Sequence, residues 1–243
     1  MSLTKIEWTD RTWNPVTGCT KVSPGCANCY AQAMAHRLQA MGSPKYANGF
    51  RVTVHDGAVE EPLRWTRPSS IFICSMSDLF HEDVPFRFID RVIGTVARTR
   101  LHRYQMLTKR PGRMLEYFAH GVLPGNVWLG VTVEDAAAKQ RIDALRRLRP
   151  SVRYISCEPL LGDLGRLDLT GIDWIIVGGE TGARARPMEP AWVASILRQA
   201  ESHGAAVFFK QWGTWGPDGV RRNRKANGHA VDGRIIRTMP GPA

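Results

Sequence analysis

Short apolar runs alternate with amphipathic stretches along most of this chain. Ile71-Phe72-Ile73-Cys74 is the first clear run, and Tyr104 to Lys109, Val127 to Thr132, Val152 to Cys157, Trp174 to Val177 and Ala206 to Lys210 follow it. Runs of this length bounded by turn residues read as buried strands. Between them lie four stretches with helical character: Arg87 to Thr99, Arg113 to Ala119, Ala136 to Leu148, and a segment opened by Pro190 and stopped by Gly204. In the third of these, Ile142, Leu145 and Leu148 fall on one face. Nearer the start, residues 11–17 read as a shorter first strand made irregular by Pro15, and Tyr30 to Met41 as a helix that Gly42 stops. Residues 43–70 form an irregular excursion punctuated by Pro and Gly, with helical character at 59–65.

Strands alternating with helices predict a parallel sheet covered by helices. Seven such units point to an α/β fold, a partial or full TIM-like (β/α) barrel, with a doubly wound open sheet as the competing arrangement. The polar residues after each strand favour the barrel. They are Ser75, Ser77 and Asp78, then Thr108 and Lys109, Thr132 and Glu134, Glu158, Gly178-Gly179-Glu180, and Lys210-Gln211. In parallel α/β architectures such ends share one face, where chemistry is built. The barrel domain is expected over residues 1–211. Residues 212–243, rich in Gly, Arg and Pro, read as an irregular basic tail in which Arg221, Arg222, Arg224 and Lys225 cluster.

The loop between the first strand and first helix changes the picture. Gly18 to Ala31 holds Cys19, Cys26 and Cys29, three of the five cysteines, in C-x6-C-x2-C spacing. Several thiols in one Gly- and Pro-bearing loop mark a metal or iron–sulfur site; free or disulfide-linked cysteines are the bland alternative. Gly18 and Gly25 permit turns that aim backbone N–H groups at the sulfurs. Cys29 is expected at or just before the helix N-terminus, where the dipole favours a thiolate. Three cysteines on a [4Fe–4S] cluster leave one iron without a protein ligand, open to S-adenosyl-L-methionine, whose cleavage yields a 5′-deoxyadenosyl radical. Lys109, Ser77 and Thr132 suit the cofactor's carboxylate and ribose, while Glu158, Glu180 or Asp78 suit its amine or ribose. The rival is structural zinc, which needs a fourth ligand; His36 is the nearest histidine after the loop. Cys74 and Cys157 read as buried core cysteines.

A net charge of +11 and a pI near 9.9 suggest a polyanionic partner, DNA or RNA first. Residues 1–8 carry no apolar run and no stretch is long enough to span a bilayer, so the expected location is cytoplasmic, with no membrane partner.

Glu7-Trp8-Thr9-Asp10, Thr12-Trp13-Asn14-Pro15 and the run Gly18 to Ala31 resemble the opening signature of a phage and prophage three-cysteine-motif family. Ser75 to His81, Thr108 to Pro111, Gly178 to Glu180, Phe209 to Gly213 and Asp232 to Arg234 are similar to its later blocks. The resemblance implies a radical S-adenosylmethionine-like barrel with a [4Fe–4S] cluster on Cys19, Cys26 and Cys29, an electron donor and possible phage-encoded partners. More distantly, Ser77-Asp78 and Thr108-Lys109 resemble pairs in spore photoproduct lyase-like radical enzymes, which act on nucleic acid. That likeness implies that Lys109 contacts the cofactor carboxylate and that Tyr30 is the aromatic neighbour of the third cysteine. The first cysteine gap departs from that group, six residues standing where it has three. The expected catalytic residues are therefore Lys109, Glu158 and Glu180, and the cofactor-binding ones Tyr30, Ser77, Asp78, Lys109 and Thr132. Without radical chemistry the same chain would be a zinc-stabilised or cluster-bearing nucleic-acid-binding protein.

Overall fold

The computed structural model describes residues 4–241. Residues 1–3 of the opening segment and the last two of the tail lie outside the described residues. In chain order the elements are β1 (Arg11–Trp13), β2 (Val16–Thr17), α1 (Tyr30–Ala40), β3 (Thr53–Val54), β4 (Ser70–Ile73), α2 (Phe86–Arg98), β5 (Arg103–Thr108), α3 (Pro111–Phe118) and β6 (Val127–Thr132). Then come α4 (Gln140–Arg146), β7 (Val152–Cys157), β8 (Trp174–Gly178), α5 (Pro190–His203), β9 (Ala206–Gln211), α6 (Arg224–Asn227), β10 (Ala230–Val231) and β11 (Arg234–Ile235).

Seven strands form one sheet in the order β1-β4-β5-β6-β7-β8-β9. The pairs β1–β4, β4–β5, β7–β8 and β8–β9 are parallel. Because the strand order never reverses, the crossovers wind in one sense. A doubly wound sheet would require a reversal, so this is the winding of an open (β/α) barrel. Every residue of β6 and of β8 is buried, as expected of parallel strands covered on both faces.

The chain divides into two compact units. One comprises Met1–Val22, Cys29–Gly130 and Leu148–Ser151; the other comprises Ser23–Asn28, Val131–Arg147 and Val152–Ala243. In the first, α2 buries Phe88, Ile89, Val92, Ile93 and Val96, a stripe at helical spacing. The segment expected as one irregular strand over 11–17 is two: β1 stops before Pro15, which lacks a backbone N–H, and β2 beyond it pairs antiparallel with β3 of the excursion. That pairing fixes the approach to the cysteine loop: Gly18 N donates to Met76 O (3.0 Å) and Cys19 N to Phe50 O (3.2 Å). Gly18 has φ +81°, and a Cβ there would lie 2.2 Å from Arg51 O, so only glycine fits.

In the second unit, Pro190 opens α5, and Gly204 closes it in the left-handed region. The segment expected to be one helix over 136–148 is a 3-10 turn, Ala136–Ala138, followed by the shorter α4; Asp135 caps that turn by accepting from Ala138 N. The tail is mostly irregular, with a one-turn helix and a two-residue hairpin. It is nevertheless tied to the sheet, because Phe209 N donates to Ile236 O (2.7 Å) and Thr238 N to Val207 O (2.8 Å). These bonds use groups that a bare edge strand would expose.

Candidate functional site

In the first unit Cys19 is half-buried, at the end of the clamped turn after β2. Its sulfur receives an N–H from Arg110 Nη1 at 3.4 Å. The same guanidinium donates to Asp78 Oδ2 (3.3 Å), Glu82 Oε2 (2.5 Å), Thr20 O (3.2 Å) and Thr20 Oγ1 (2.8 Å). Asp78 is buried and joins the ends of β4 and β5: its carboxylate accepts from Thr108 Oγ1 at 2.8 and 2.9 Å, from Lys109 N at 3.1 Å and from Phe80 N at 3.0 Å. Thr108-Lys109 and Ser77-Asp78 thus meet, as their positions at neighbouring strand ends imply. The geometry makes Asp78 the anchor of Arg110, a residue that sequence reasoning passed over because its neighbour Lys109 matched a known pair.

Cys29 is the N-cap residue of α1 and packs on a small cluster of Ala31, Ala35, Tyr46 and Met76. Tyr30, the first residue of the helix, is exposed, and its hydroxyl donates to Ser75 O at 2.5 Å. Ser77 Oγ donates to Val16 O at 2.8 Å. Cys19 also lines a cavity of about 600 Å³ with Thr20, Gln32, His36, Asn48 and Arg51. The thiol is therefore reachable from solvent.

His81 supports this half of the loop. Its Nδ1 accepts from Asp83 N (3.1 Å), so Nε2 carries the proton and meets Thr20 Oγ1 at 2.8 Å. Burial, then the nearby Arg110 charge, push its pKa below the usual 6.5, outweighing Glu82, Asp83 and Asp78. A His with a folded pKa below its unfolded one contributes stability that is present above pH 6.5 and lost as pH falls through the folded value. The melting temperature is therefore expected to fall between pH 7 and pH 5, with a shallower fall in His81→Gln. His55 and His102, lowered for the same leading reason, keep part of the slope. An unchanged slope in His81→Gln would remove His81 from the account.

The second unit holds Cys26 in the turn 23–28. Ser23 Oγ donates to Glu134, a fully buried carboxylate that also takes Arg141 Nη1 at 2.7 Å. Gly25 sits in the turn without a positive φ, and a Cβ there would lie 3.0 Å from Glu134 Oε1, a tight contact that the carboxylate would have to yield to by a few tenths of an ångström. At the far end of the turn, Asn28 Nδ2 donates to Glu180 Oε2 at 3.1 Å and to Arg184 O at 2.8 Å. Arg186 pairs with Glu180 through Nη2 (2.5 Å) and Nε (2.9 Å), and Nη2 also donates to Pro24 O (3.1 Å). Burial alone would push Glu180 up, but the hydrogen bonds from Arg186 and Asn28 prevail and hold it below the ordinary carboxylate range.

Glu180 owes its place to Gly179, where a Cβ would lie 1.8 Å from Trp212 O. Glu158 is paired with Lys210. Thr132 is buried at the end of β6, and its carbonyl accepts from Arg141 Nη1 at 2.7 Å.

All five cysteines are free thiols. Cys74 and Cys157 are buried, as expected, and burial pushes each thiol up to about 12. The loop cysteines differ from them in being partly exposed. Among the described residues no three His, Cys, Asp or Glu side chains gather as holders of a single metal ion. Partly exposed, disulfide-free thiols, one of them receiving an N–H from a guanidinium, have the donor chemistry that an iron–sulfur cluster needs.

Fold and loop together define a singly wound α/β protein with a thiol-bearing loop after its first strand. A family model described as "Protein of unknown function (DUF5131)" matches residues 3–240, and the chain belongs to that family. Among solved structures it is similar to a spore photoproduct lyase carrying a cysteine-to-serine substitution, with 14% identity over 74% of this chain and 58% of that one and a TM-score of 0.47. A spore photoproduct lyase complexed with dinucleoside spore photoproduct is similar at 11% identity over 83% of this chain and 64% of that one, with a TM-score of 0.41. The chain thus spans less than two thirds of either structure's length. No curated protein sequence matches it. No helix among the described residues is long and apolar enough to cross a membrane.

Proposed function

We propose that this protein is an iron–sulfur enzyme of the radical S-adenosylmethionine type that acts on nucleic acid. The observation that carries the reading is the loop of Cys19, Cys26 and Cys29, whose turns are anchored by Arg110, Glu134 and Glu180 while its thiols stay partly exposed. Cys19, Cys26 and Cys29 would hold a [4Fe–4S] cluster, and Lys109, at the end of β5, would bind the carboxylate of S-adenosylmethionine. Bound together, the two groups supply a 5′-deoxyadenosyl radical after one-electron reduction.

The chain's own residues have narrower duties. Asp78 and Arg110 orient the turn bearing Cys19; Glu134 and Glu180, each paired with an arginine, orient the turn bearing Cys26. Glu180 is thereby a positioning residue in this reading. Glu158 and Lys210 form a carboxylate–ammonium pair, suited to a polar substrate group. Positive charge supports a polyanionic substrate: between Thr12 and His55 the chain carries Lys21, Arg37, Lys45 and Arg51, none of them buried, and no Asp or Glu. In the tail, by contrast, Arg222 is paired with Asp218, and Arg221 donates to Ala183 O.

Anaerobic reconstitution with iron and sulfide, followed by electron paramagnetic resonance, tests the proposal. The expected result is a reduced-cluster spectrum that changes on adding S-adenosylmethionine. Stoichiometric zinc without labile sulfide, or a spectrum indifferent to the cofactor, would overturn it.

A further inference from the structure

We propose that Arg110 is a positioning residue that holds Cys19 for the cluster and raises the cluster's reduction potential through an N–H···S hydrogen bond; this rests on the iron–sulfur reading above. A guanidinium has five N–H donors in a fixed fork. Here Nε serves Glu82, Nη1 serves Asp78 and Cys19, and Nη2 serves the carbonyl and hydroxyl of Thr20. Five acceptors thus match five donors, and the side chain is 8% exposed. Such a fork has one orientation, and in it one N–H is aimed at sulfur.

A residue needed only to neutralise carboxylates would have no reason to reach Cys19. Asp78 and Glu82 already flank the guanidinium, and Thr20, the residue after Cys19, is gripped at both its oxygens. Arg110 therefore ties the backbone beside Cys19 to the ends of β4 and β5 while donating to its sulfur. Hydrogen bonds to cluster sulfurs and nearby positive charge favour the reduced state, which carries one more electron. Without Arg110, Asp78 and Glu82 would face the anionic sulfur uncompensated, and both effects act in the same direction. Lysine at this position would keep the charge but has no planar fork.

The test compares wild-type protein, Arg110→Gln and Arg110→Lys after anaerobic reconstitution. It measures iron and sulfide content, melting temperature, and the midpoint potential from a dithionite titration followed by electron paramagnetic resonance. At a fixed potential the reduced-to-oxidised ratio should fall about tenfold in Arg110→Gln, a shift of about 59 mV to lower potential for one electron. Arg110→Lys should fall between the two. Variants that melt like the wild type but load less iron support the holding role. Identical loading and identical midpoints in all three proteins overturn the proposal while leaving the cluster reading intact. A wild-type protein that takes up no cluster overturns that reading and this inference with it. If Arg110→Gln fails to fold, Arg110→Lys carries the comparison, with an unchanged midpoint as the negative result.

Discussion

Replacing Glu134 by alanine is expected to destabilise the protein by about 3–5 kcal/mol, because it leaves the Arg141 charge buried without its partner. Glu134 is fully buried and Arg141 is 11% exposed, so water cannot take over the lost ion pair. For a chain of this size the melting temperature should drop by roughly 6–20 °C. Glutamine at the same position keeps most of the shape but not the charge and should lie between the two.

The consequence extends to Cys26. Ser23 loses its acceptor and Gly25 the surface it packs on, so the turn 23–28 relies on its anchorage to Glu180, Arg184 and Arg186. Iron uptake should fall by about 10–100-fold, the usual cost of losing a residue that orients a metal ligand. Thermal melting and iron analysis of the same preparations check both effects. An alanine variant that melts and loads like the wild type would remove Glu134 from the account.

The second large effect concerns the thiols. Alanine at Cys19, Cys26 or Cys29 should each lower reconstituted iron and sulfide at least about tenfold, because a direct ligand is worth more than the outer partners that orient it. Cys157→Ala should load normally, since that thiol is buried among core side chains and burial keeps it protonated. Equal loss from all four variants would mean that the metal is not held by the loop.

Most of the architecture was legible in the sequence because strands buried on both faces appear as uninterrupted apolar runs. Val127–Thr132 and Val152–Cys157 have the same bounds in the sequence reading and in the structure. Helix ends with a backbone cause, such as Pro190 and Gly204, were equally plain. Residues 136–148 were misread as one helix because helical spacing of Ile142, Leu145 and Leu148 gives no sign that the first turn is a tighter one capped by Asp135. Candidate chemistry was legible as residue types at strand ends, but not as assignments. Asp78, Glu158 and Glu180 look alike in the sequence; in the structure they are joined to Arg110, Lys210 and Arg186 respectively.

The cysteine spacing, the alternating strands and helices and the positive charge are properties of the sequence itself, set by local residue type and period. The partners of the loop are not. Arg110 lies 91 residues from Cys19, Glu134 lies 111 from Ser23, and Glu180 lies 152 from Asn28. No local periodicity encodes contacts over such separations. They exist because the fold of each unit brings its own strand ends to its own turn, and charge-assisted hydrogen bonds then hold that turn.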